Sequence, residues 1–261
     1  MSDLLQVILL GIVEGITEFL PVSSTGHLLI AEHLGLGQRS DVFNVVIQAG
    51  AILAVVLIYR QRLWELASGW ARPDNRDYAL KLLLAFVVTS VFAFAAVKLG
   101  FKLPEKLGPV AWALLIGGVW IIAAEWFAAK KPDSARITWT VAVAVGLAQV
   151  VAAIFPGTSR SGATIFVAML LGTSNRAAAT EFAFLVGIPT MFEASGYELL
   201  KSLKHGAGAE NWADLGIAFA VSTVTAFVAV KWLLGYIVKH RFTVFAAYRI
   251  ALGAALLLFM A

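Results

Sequence analysis

Long apolar stretches separated by short polar connections dominate this chain. Six of them are close to the length of about 20 residues with which a helix crosses a lipid bilayer. They cover residues 42–59, 80–100, 109–129, 181–200, 213–236 and 243–260. The pattern predicts six transmembrane helices in an all-α polytopic membrane protein. The longest polar connection, about 60–79, is predicted to be a loop.

Two further apolar regions, residues 4–34 and 137–172, are interrupted in the middle by proline, glycine and hydroxyl-bearing residues. The apolar stretches on either side of each interruption are too short to cross a bilayer. Irregular backbone at membrane depth is tolerated where it lines a cavity in the protein. We therefore predict two re-entrant helix–loop–helix elements whose loops meet near the membrane midplane.

The two interrupted regions match each other. Residues 11–24 and 146–159 share a glycine, a Glu or Gln, a proline and a serine at a constant offset of 135 residues. Three predicted spans separate the two regions, and an odd number of crossings turns the second copy upside down. The sequence therefore predicts an inverted repeat within one integral membrane domain, residues 1–261, with halves of about 1–130 and 131–261.

Composition excludes a soluble protein. Of the 261 residues, 60% are hydrophobic and 14% are charged, and the mean hydropathy is +0.85. The net charge of +4 is attributed to basic loops, so no nucleic-acid partner is expected. The absence of cysteine excludes disulfides and thiol chemistry. Because Met1-Ser2-Asp3 lacks a basic segment, no cleaved signal peptide is expected.

Positive charges are unevenly distributed between the two sides of the predicted topology. One side carries eleven Lys and Arg residues and the other carries six. The first set is Arg60, Arg62, Arg72, Arg76, Lys81, Lys130, Lys131, Arg136, Arg176, Lys239 and Arg241; the second is Arg39, Lys98, Lys102, Lys106, Lys201 and Lys204. Because Lys and Arg accumulate in cytoplasmic loops, the bias places both termini outside.

Two acids lie in the first interrupted region. Glu14 and Glu18 are four residues apart and share one helical face. Ionised carboxylates at membrane depth repel each other unless a cation lies between them. The pair therefore predicts a metal site or a general base; the alternative is a helix end that lies in water at the surface.

Hydroxyl groups and a histidine follow Pro21, within residues 23–27. Hydroxyls and backbone N–H groups at a helix start suit a phosphate oxygen, although Ser24 and Thr25 also suit ordinary N-capping. His27 suits general acid–base catalysis or nucleophilic attack on phosphorus.

The second interruption surrounds Arg160 with hydroxyls, and Gly157 and Gly162 allow close backbone approach. A guanidinium at this depth needs an anion, and its planar fork suits phosphate. A structural pair with Glu14 or Glu18 is the alternative.

Other polar residues within the apolar segments are weaker candidates. We expect Lys231 and Arg249 to extend toward the membrane surface and Glu125 to lie at the interface. Gly117 and Gly118 are expected to permit close helix contact.

Together the two loops predict phosphoryl transfer, or cleavage of a phosphate ester, on a lipid-borne substrate. The rival class is a transporter or flippase of a lipid phosphate, because inverted repeats with broken helices are a transporter architecture. The acids and the histidine favour chemistry, whereas the symmetry favours alternating access.

The two polar motifs resemble those of a known family. Glu14-Gly-Ile-Thr-Glu18-Phe-Leu-Pro-Val-Ser-Ser-Thr-Gly-His27 and Pro156-Gly-Thr-Ser-Arg160-Ser-Gly-Ala-Thr164 are similar to the signature motifs of the undecaprenyl-diphosphate phosphatase, or bacitracin-resistance, family of bacterial inner membranes. The resemblance covers essentially the whole chain. It implies removal of the terminal phosphate of undecaprenyl diphosphate, which recycles the lipid carrier for peptidoglycan synthesis, at a site open to the periplasm.

The resemblance also implies roles for individual residues. The catalytic set would be Glu14, Glu18, Ser24, His27 and Arg160, and the substrate-binding set would be Ser23, Thr25, Gln48, Gly157, Ser159, Ser161 and Thr164. It implies a divalent cation, Mg²⁺ or Ca²⁺, for which Glu14 and Glu18 are the natural ligands. The expected partners are the polyprenyl diphosphate and membrane lipid, with a homodimer allowed for.

Three nucleophiles stay open at this point: Ser24 activated by His27, a water activated by an acid, and His27 itself. A lipid phosphatase of the phosphatidic-acid-phosphatase type is excluded. That family has a histidine six residues after the arginine of its second motif, where this chain has Phe166.

Overall fold

The computed structural model describes residues 3–99, 107–132, 134–204 and 211–260. Within these ranges the chain forms eleven α-helices and no β-strand. The helices are α1 (Asp3–Thr17), α2 (Ser24–Ala31), α3 (Asp41–Ile58), α4 (Arg60–Ser68), α5 (Pro73–Lys98), α6 (Leu107–Ala128), α7 (Trp139–Ile154), α8 (Arg160–Leu171), α9 (Arg176–Lys204), α10 (Trp212–Lys239) and α11 (Thr243–Met260). A π-helical turn, Glu32–Leu36, follows α2.

Four of the described helices are long and apolar enough to cross a membrane, namely α3, α5, α6 and α10. They match four of the six predicted spans, although residue 100 lies outside the described residues. The other two predicted spans fall on α9, which has Pro189 inside it, and on α11. The chain is therefore an all-helical, multi-pass membrane protein, and six as the number of spans stays a prediction.

The polar connection 60–79, predicted as a loop, is largely helical because α4 and the start of α5 occupy it. Lys81, counted there as a loop charge, is buried within α5. It pairs with Asp77 and lies 5.4 Å from the ring centroid of Trp139. The side that carries the larger number of Lys and Arg residues therefore has one fewer than predicted. Two residues counted on the other side, Lys102 and Lys106, lie outside the described residues.

Each interrupted region forms two helices joined by a short loop, as predicted. The first pair is α1 and α2, and the second pair is α7 and α8. The first helix of each pair packs against a helix from the other half of the chain: α1 against α10, and α7 against α5. Glycines permit this approach, since a Cβ on Gly146 would lie 2.7 Å from the carbonyl oxygen of Ala85.

Glu125, expected near the membrane interface, is buried inside the protein. It is 1% exposed, accepts two bonds from the Arg176 guanidinium at 2.8 and 2.6 Å, and accepts one from the N–H of Phe242. A carboxylate with these partners is satisfied inside the protein, and this one ties α6 to the starts of α9 and α11.

Candidate active site

The two loops meet at a small polar cavity of about 40 Å³. Both halves of the chain contribute to its wall, which consists of Glu18, Ser23, Ser24, Thr25, Gln48, Ala152, Gly157, Ser159 and Arg160. Helices α2 and α8 both begin at this cavity, so the positive ends of two helix dipoles and their free N–H groups face it. An anion is the ligand that such a cavity favours.

A serine in an unusual backbone conformation ends each loop. Ser23 has φ 76° and Ser159 has φ 69°, and they are the only described non-glycine residues with positive φ. Each caps the helix that follows, because the Ser23 hydroxyl accepts from the Gly26 N–H and the Ser159 hydroxyl accepts from the Gly162 N–H. Strain of this kind is typically stored at functional sites.

The structural equivalence of the loops differs by one residue from the sequence match. The two cap serines are 136 residues apart (159 minus 23), whereas the motifs align at an offset of 135. The second loop holds one more residue between its proline and its cap, and Gly157 within it has φ 90°. Ser24 and Arg160 are consequently equivalent, as the first residues of α2 and α8.

Ser24 donates its hydroxyl hydrogen to the Oε2 of Glu18. Glu18 lies just beyond the end of α1 and is 7% exposed. A hydroxyl held on a carboxylate has a proton acceptor already in place. His27 does not occupy this position.

Glu14 lies behind Glu18, one turn back on α1, and is 2% exposed. Its Oε2 is buried without a hydrogen-bond partner, and the carboxyl group interacts electrostatically with Glu18 and Arg160. The alternative of a helix end at the surface is wrong for both acids. A buried carboxylate oxygen without a partner is costly unless a proton, a cation or a ligand satisfies it.

Arg160 extends from the first turn of α8 into the cavity wall. No ion pair within 4.0 Å found in the described part of the chain includes Arg160. The alternative of a close structural pair with Glu14 or Glu18 therefore lacks support. The guanidinium faces the cavity with its donors available for an anion.

His27 faces away from the cavity, toward α11. Its Nδ1 lies 2.7 Å from the carbonyl oxygen of Ser23, and its Nε2 lies 2.6 Å from the hydroxyl of Tyr248. A carbonyl only accepts, so Nδ1 carries the hydrogen and donates it. Both ring nitrogens are thus engaged, and Tyr248 is a partner that the sequence did not indicate.

The remaining predicted substrate-binding residues fall into two groups. Thr25 and Gln48 line the cavity. Ser161 and Thr164 instead bind backbone: Ser161 donates to the Leu20 carbonyl at 3.0 Å, which joins the two loops, and Thr164 donates to the Arg160 carbonyl at 2.8 Å. We infer that these two hydroxyls maintain the shape of the second loop rather than bind substrate.

The two carboxylates can hold a divalent cation if water and substrate phosphate complete its ligand shell. The described residues contain no group of three His, Cys, Asp or Glu side chains that would hold a metal by themselves. Mg²⁺ commonly takes one or two carboxylates and completes its shell with water and substrate phosphate oxygens. Glu14 and Glu18 meet that requirement, and the unpartnered Oε2 of Glu14 suits such an ion.

Arg249 departs most from the expectation based on the sequence. It does not extend to the membrane surface but is 1% exposed, and its guanidinium binds backbone carbonyl oxygens of both loops. The sequence offered one indication of this in Gly117: a Cβ there would collide with the Arg249 guanidinium. Gly118 packs against α11, as expected for close helix contact.

Comparison with known proteins agrees with the geometry. The family model described as "Bacitracin resistance protein BacA" matches residues 7–255. A protein named undecaprenyl-diphosphatase from Xanthomonas axonopodis pv. citri is 66% identical over 261 residues, covering 100% of this chain and 98% of its own. One of the same name from Rhizobium etli is 64% identical over 256 residues, covering 98% and 96%. This chain belongs to the bacitracin resistance protein BacA family.

Proposed function

We propose that the protein hydrolyses undecaprenyl diphosphate to undecaprenyl phosphate and inorganic phosphate. This reaction recycles the lipid carrier for peptidoglycan synthesis and confers resistance to bacitracin. The names of its relatives support the proposal. The observation that carries it is the Ser24–Glu18 hydrogen bond in a cavity that also holds Arg160.

The contacts favour Ser24 as the nucleophile and Glu18 as its base. The Arg160 guanidinium and the N–H groups at the start of α8 bind the diphosphate. Glu18 takes the Ser24 proton as Oγ bonds to the terminal phosphorus, and the bond to the bridging oxygen breaks with its electron pair on the departing undecaprenyl phosphate. Water then displaces Ser24 from phosphorus as Glu18 returns its proton to Oγ. One hydrogen of the water stays on the departing inorganic phosphate as its hydroxyl, and the other passes as a proton to solvent.

His27 is a positioning group in this scheme. Its bonds to the Ser23 carbonyl and to Tyr248 hold the first turn of α2, which carries Ser24. A Mg²⁺ or Ca²⁺ ion, held by Glu14 and Glu18, would neutralise charge on the phosphate oxygens.

The first experiment is phosphate release from undecaprenyl diphosphate by purified protein in detergent, where transport has no membrane to cross. We expect release by the wild type and suppression by a chelator that added Mg²⁺ or Ca²⁺ reverses. Ser24→Ala should lose activity by about 10³-fold or more, because removing a single charge-stabilising donor already costs about 10²–10³-fold. Ser68→Ala is the matched control, since the exposed Ser68 hydroxyl on α4 donates to the Trp64 carbonyl and does not line the cavity.

Rapid-quench labelling should find phosphoserine at Ser24. Two other results would change the proposal. A fully active Ser24→Ala variant would move the attack to a water held by Glu18. Folded wild-type protein without any release in the presence of Mg²⁺ and Ca²⁺ would contradict the phosphatase assignment and favour the flippase.

The proposed setting is a bacterial inner membrane with the cavity open to the periplasm. We also propose the inverted repeat of six spans and two re-entrant elements. The reciprocal packing of α1 on α10 and α7 on α5 supports it, as do the equivalent strained caps, Ser23 and Ser159. The excess of Lys and Arg in the connections assigned to the cytoplasm supports the orientation.

The prenyl chain would leave the cavity past Arg160. A second cleft of about 260 Å³, between α5, α7 and α9, shares Arg160 with the polar cavity and includes the exposed side chains of Phe94 and Val97. A larger apolar cleft of about 540 Å³ beside α6 touches Arg249 instead. Since the diphosphate is proposed to bind at Arg160, the α5–α9 cleft is where we place the prenyl chain.

A further inference from the structure

Arg249 joins five backbone carbonyls from three parts of the chain. Its guanidinium donates to Pro21 of the first loop at 3.2 Å, to Gly157 and Thr158 of the second loop at 2.8 and 3.1 Å, and to Ala113 and Leu114 of α6 at 2.9 and 3.4 Å. Pro21 and Gly157 lie 136 residues apart in sequence (157 minus 21), and the Arg249 guanidinium binds both. One side chain thus ties both loops to the scaffold of α6 and α11.

Among the described residues, this charge has no acidic partner within ion-pair distance. The ion pairs found among the described residues do not include Arg249, so carbonyl dipoles alone compensate a guanidinium that is 1% exposed. Burying a charge in this way is expensive. An uncharged side chain could fill the same space, so the cost points to a requirement for several donors in a fixed planar fork.

The second loop lies between the polar cavity and the large cleft, and Arg249 binds its carbonyls from the cleft side. Pro156 and Thr158 line the large cleft that also contains Arg249, whereas Gly157 and Ser159 line the polar cavity. In a trans peptide the C=O and the N–H point in opposite directions, and no described peptide bond is cis. With the Thr158 carbonyl directed at Arg249, the N–H of Ser159 is directed away from it, toward the cavity side.

The same contacts lie next to the strained caps. Thr158 immediately precedes the cap Ser159, and Pro21 is two residues before the cap Ser23. A positive φ persists only where the surroundings enforce it. The bonds to Arg249 supply that constraint on both loops, and both caps start the helices that carry Ser24 and Arg160.

We propose that Arg249 is the positioning residue of the active site, which holds the two loops in register so that Ser24 and Arg160 address the same phosphate. The role rests on the proposed function, because the register matters only if both groups act on one substrate. Arg249 itself does not line the polar cavity and acts through backbone.

Kinetics of Arg249→Met and Arg249→Lys in detergent test the proposal. Misplacing reacting groups by about 1 Å can cost on the order of 100-fold in rate, so we expect Arg249→Met to lower kcat by about that factor, and Arg249→Lys by less because it keeps some donors. KM should change far less than kcat. Arg241→Met, at an exposed arginine just before α11, controls for the lost charge.

Gly253→Ala controls for damaged packing. Gly253 lies one turn beyond Arg249 on α11, and a Cβ there would lie 2.8 Å from the Ala111 carbonyl oxygen of α6. This variant should lower thermal stability yet keep kcat per folded molecule. If Arg249→Met lost stability but kept kcat in the same way, Arg249 would be a packing residue and the proposal would be wrong.

A distance measurement gives a readout that is independent of activity. The chain has no cysteine, so the exposed residues Leu34, after α2, and Leu171, at the end of α8, can be replaced by cysteine and spin-labelled. We expect the distance distribution to broaden or shift in Arg249→Met and to stay unchanged in Gly253→Ala. An unchanged distribution in Arg249→Met would overturn the proposal even if activity fell.

A double-mutant cycle separates an effect of Arg249 on the position of Arg160 from a general loss of activity. Combining Arg249→Lys with Arg160→Lys should cost less than the sum of the single losses, because a displaced Arg160 has less to lose; independent effects would add. Strict additivity would contradict the proposal. Absent activity in the wild type would count against the proposed function instead. The distance measurement would still test whether Arg249 holds the two loops together.

Discussion

At the scale of single residues, Ser23 and Ser159 show how the loops are built. An N-cap normally has an extended backbone with negative φ, as Ser40 does at φ −65° before α3. The loop serines keep the capping bond but have φ 76° and 69°. An L-residue in such a conformation costs on the order of 1–3 kcal/mol, which glycine largely avoids.

This strain predicts an enlarged stability gap between the glycine and alanine variants at Ser23. Ser23→Ala loses the cap and keeps the strain, whereas Ser23→Gly loses the cap and relieves the strain. We expect the glycine variant to be more stable by about 2 kcal/mol. Ser40 is the matched control, where the same pair of variants should differ by about 1 kcal/mol or less. Unfolding by SDS titration in mixed micelles measures both gaps, and equal gaps would show that Ser23 carries no strain.

At the scale of helices, α8 contributes to the walls of two clefts, and the proposed path of the lipid chain follows one of them. The α5–α9 cleft shares Arg160 with the polar cavity, and the cleft beside α6 does not include it among its lining residues. Both clefts have largely apolar walls. The placement of the prenyl chain in the α5–α9 cleft therefore depends on Arg160. It can be tested by blocking each cleft with a bulky side chain.

Two tryptophan substitutions provide that test. Val97 lines the α5–α9 cleft and is 64% exposed, and Ile116 lines the cleft beside α6 and is 66% exposed. We expect Val97→Trp to raise KM for undecaprenyl diphosphate by about tenfold, which corresponds to about 1.4 kcal/mol of lost binding, with little change in kcat. Ile116→Trp should leave KM unchanged. The reverse result would place the chain beside α6.

At the scale of the whole molecule, the inverted repeat makes a parity prediction. Gln38 follows the first broken element and Ala177 follows the second, and both are exposed. With three spans between the elements, cysteines at these positions should lie on opposite sides of the membrane. In intact cells a membrane-impermeant thiol reagent should label Gln38→Cys and label Ala177→Cys only after permeabilisation. Labelling of both from one side would exclude the inversion.

Much of the architecture could be predicted from the sequence because the relevant signals are local. Apolar length predicted the membrane-crossing helices, and Pro21 and Pro156 marked the two breaks. The same local logic misplaced Lys81 and the helix α4, since polar sequence between two spans was taken for a loop. It also matched the loops one residue out of register, because identity of residue type does not reveal the extra residue at Gly157.

The sequence by itself determined the class of protein, the helices, the two interruptions and the polar residues concentrated there, because each depends on neighbours within a few turns. Tertiary structure alone decided which partner each of those residues binds. Ser24 binds Glu18 rather than His27, His27 binds Tyr248 across 221 positions, and Arg249 binds Pro21 across 228. Local pattern carries no information about such partners, because a buried donor is satisfied by whichever acceptor the packing brings within reach.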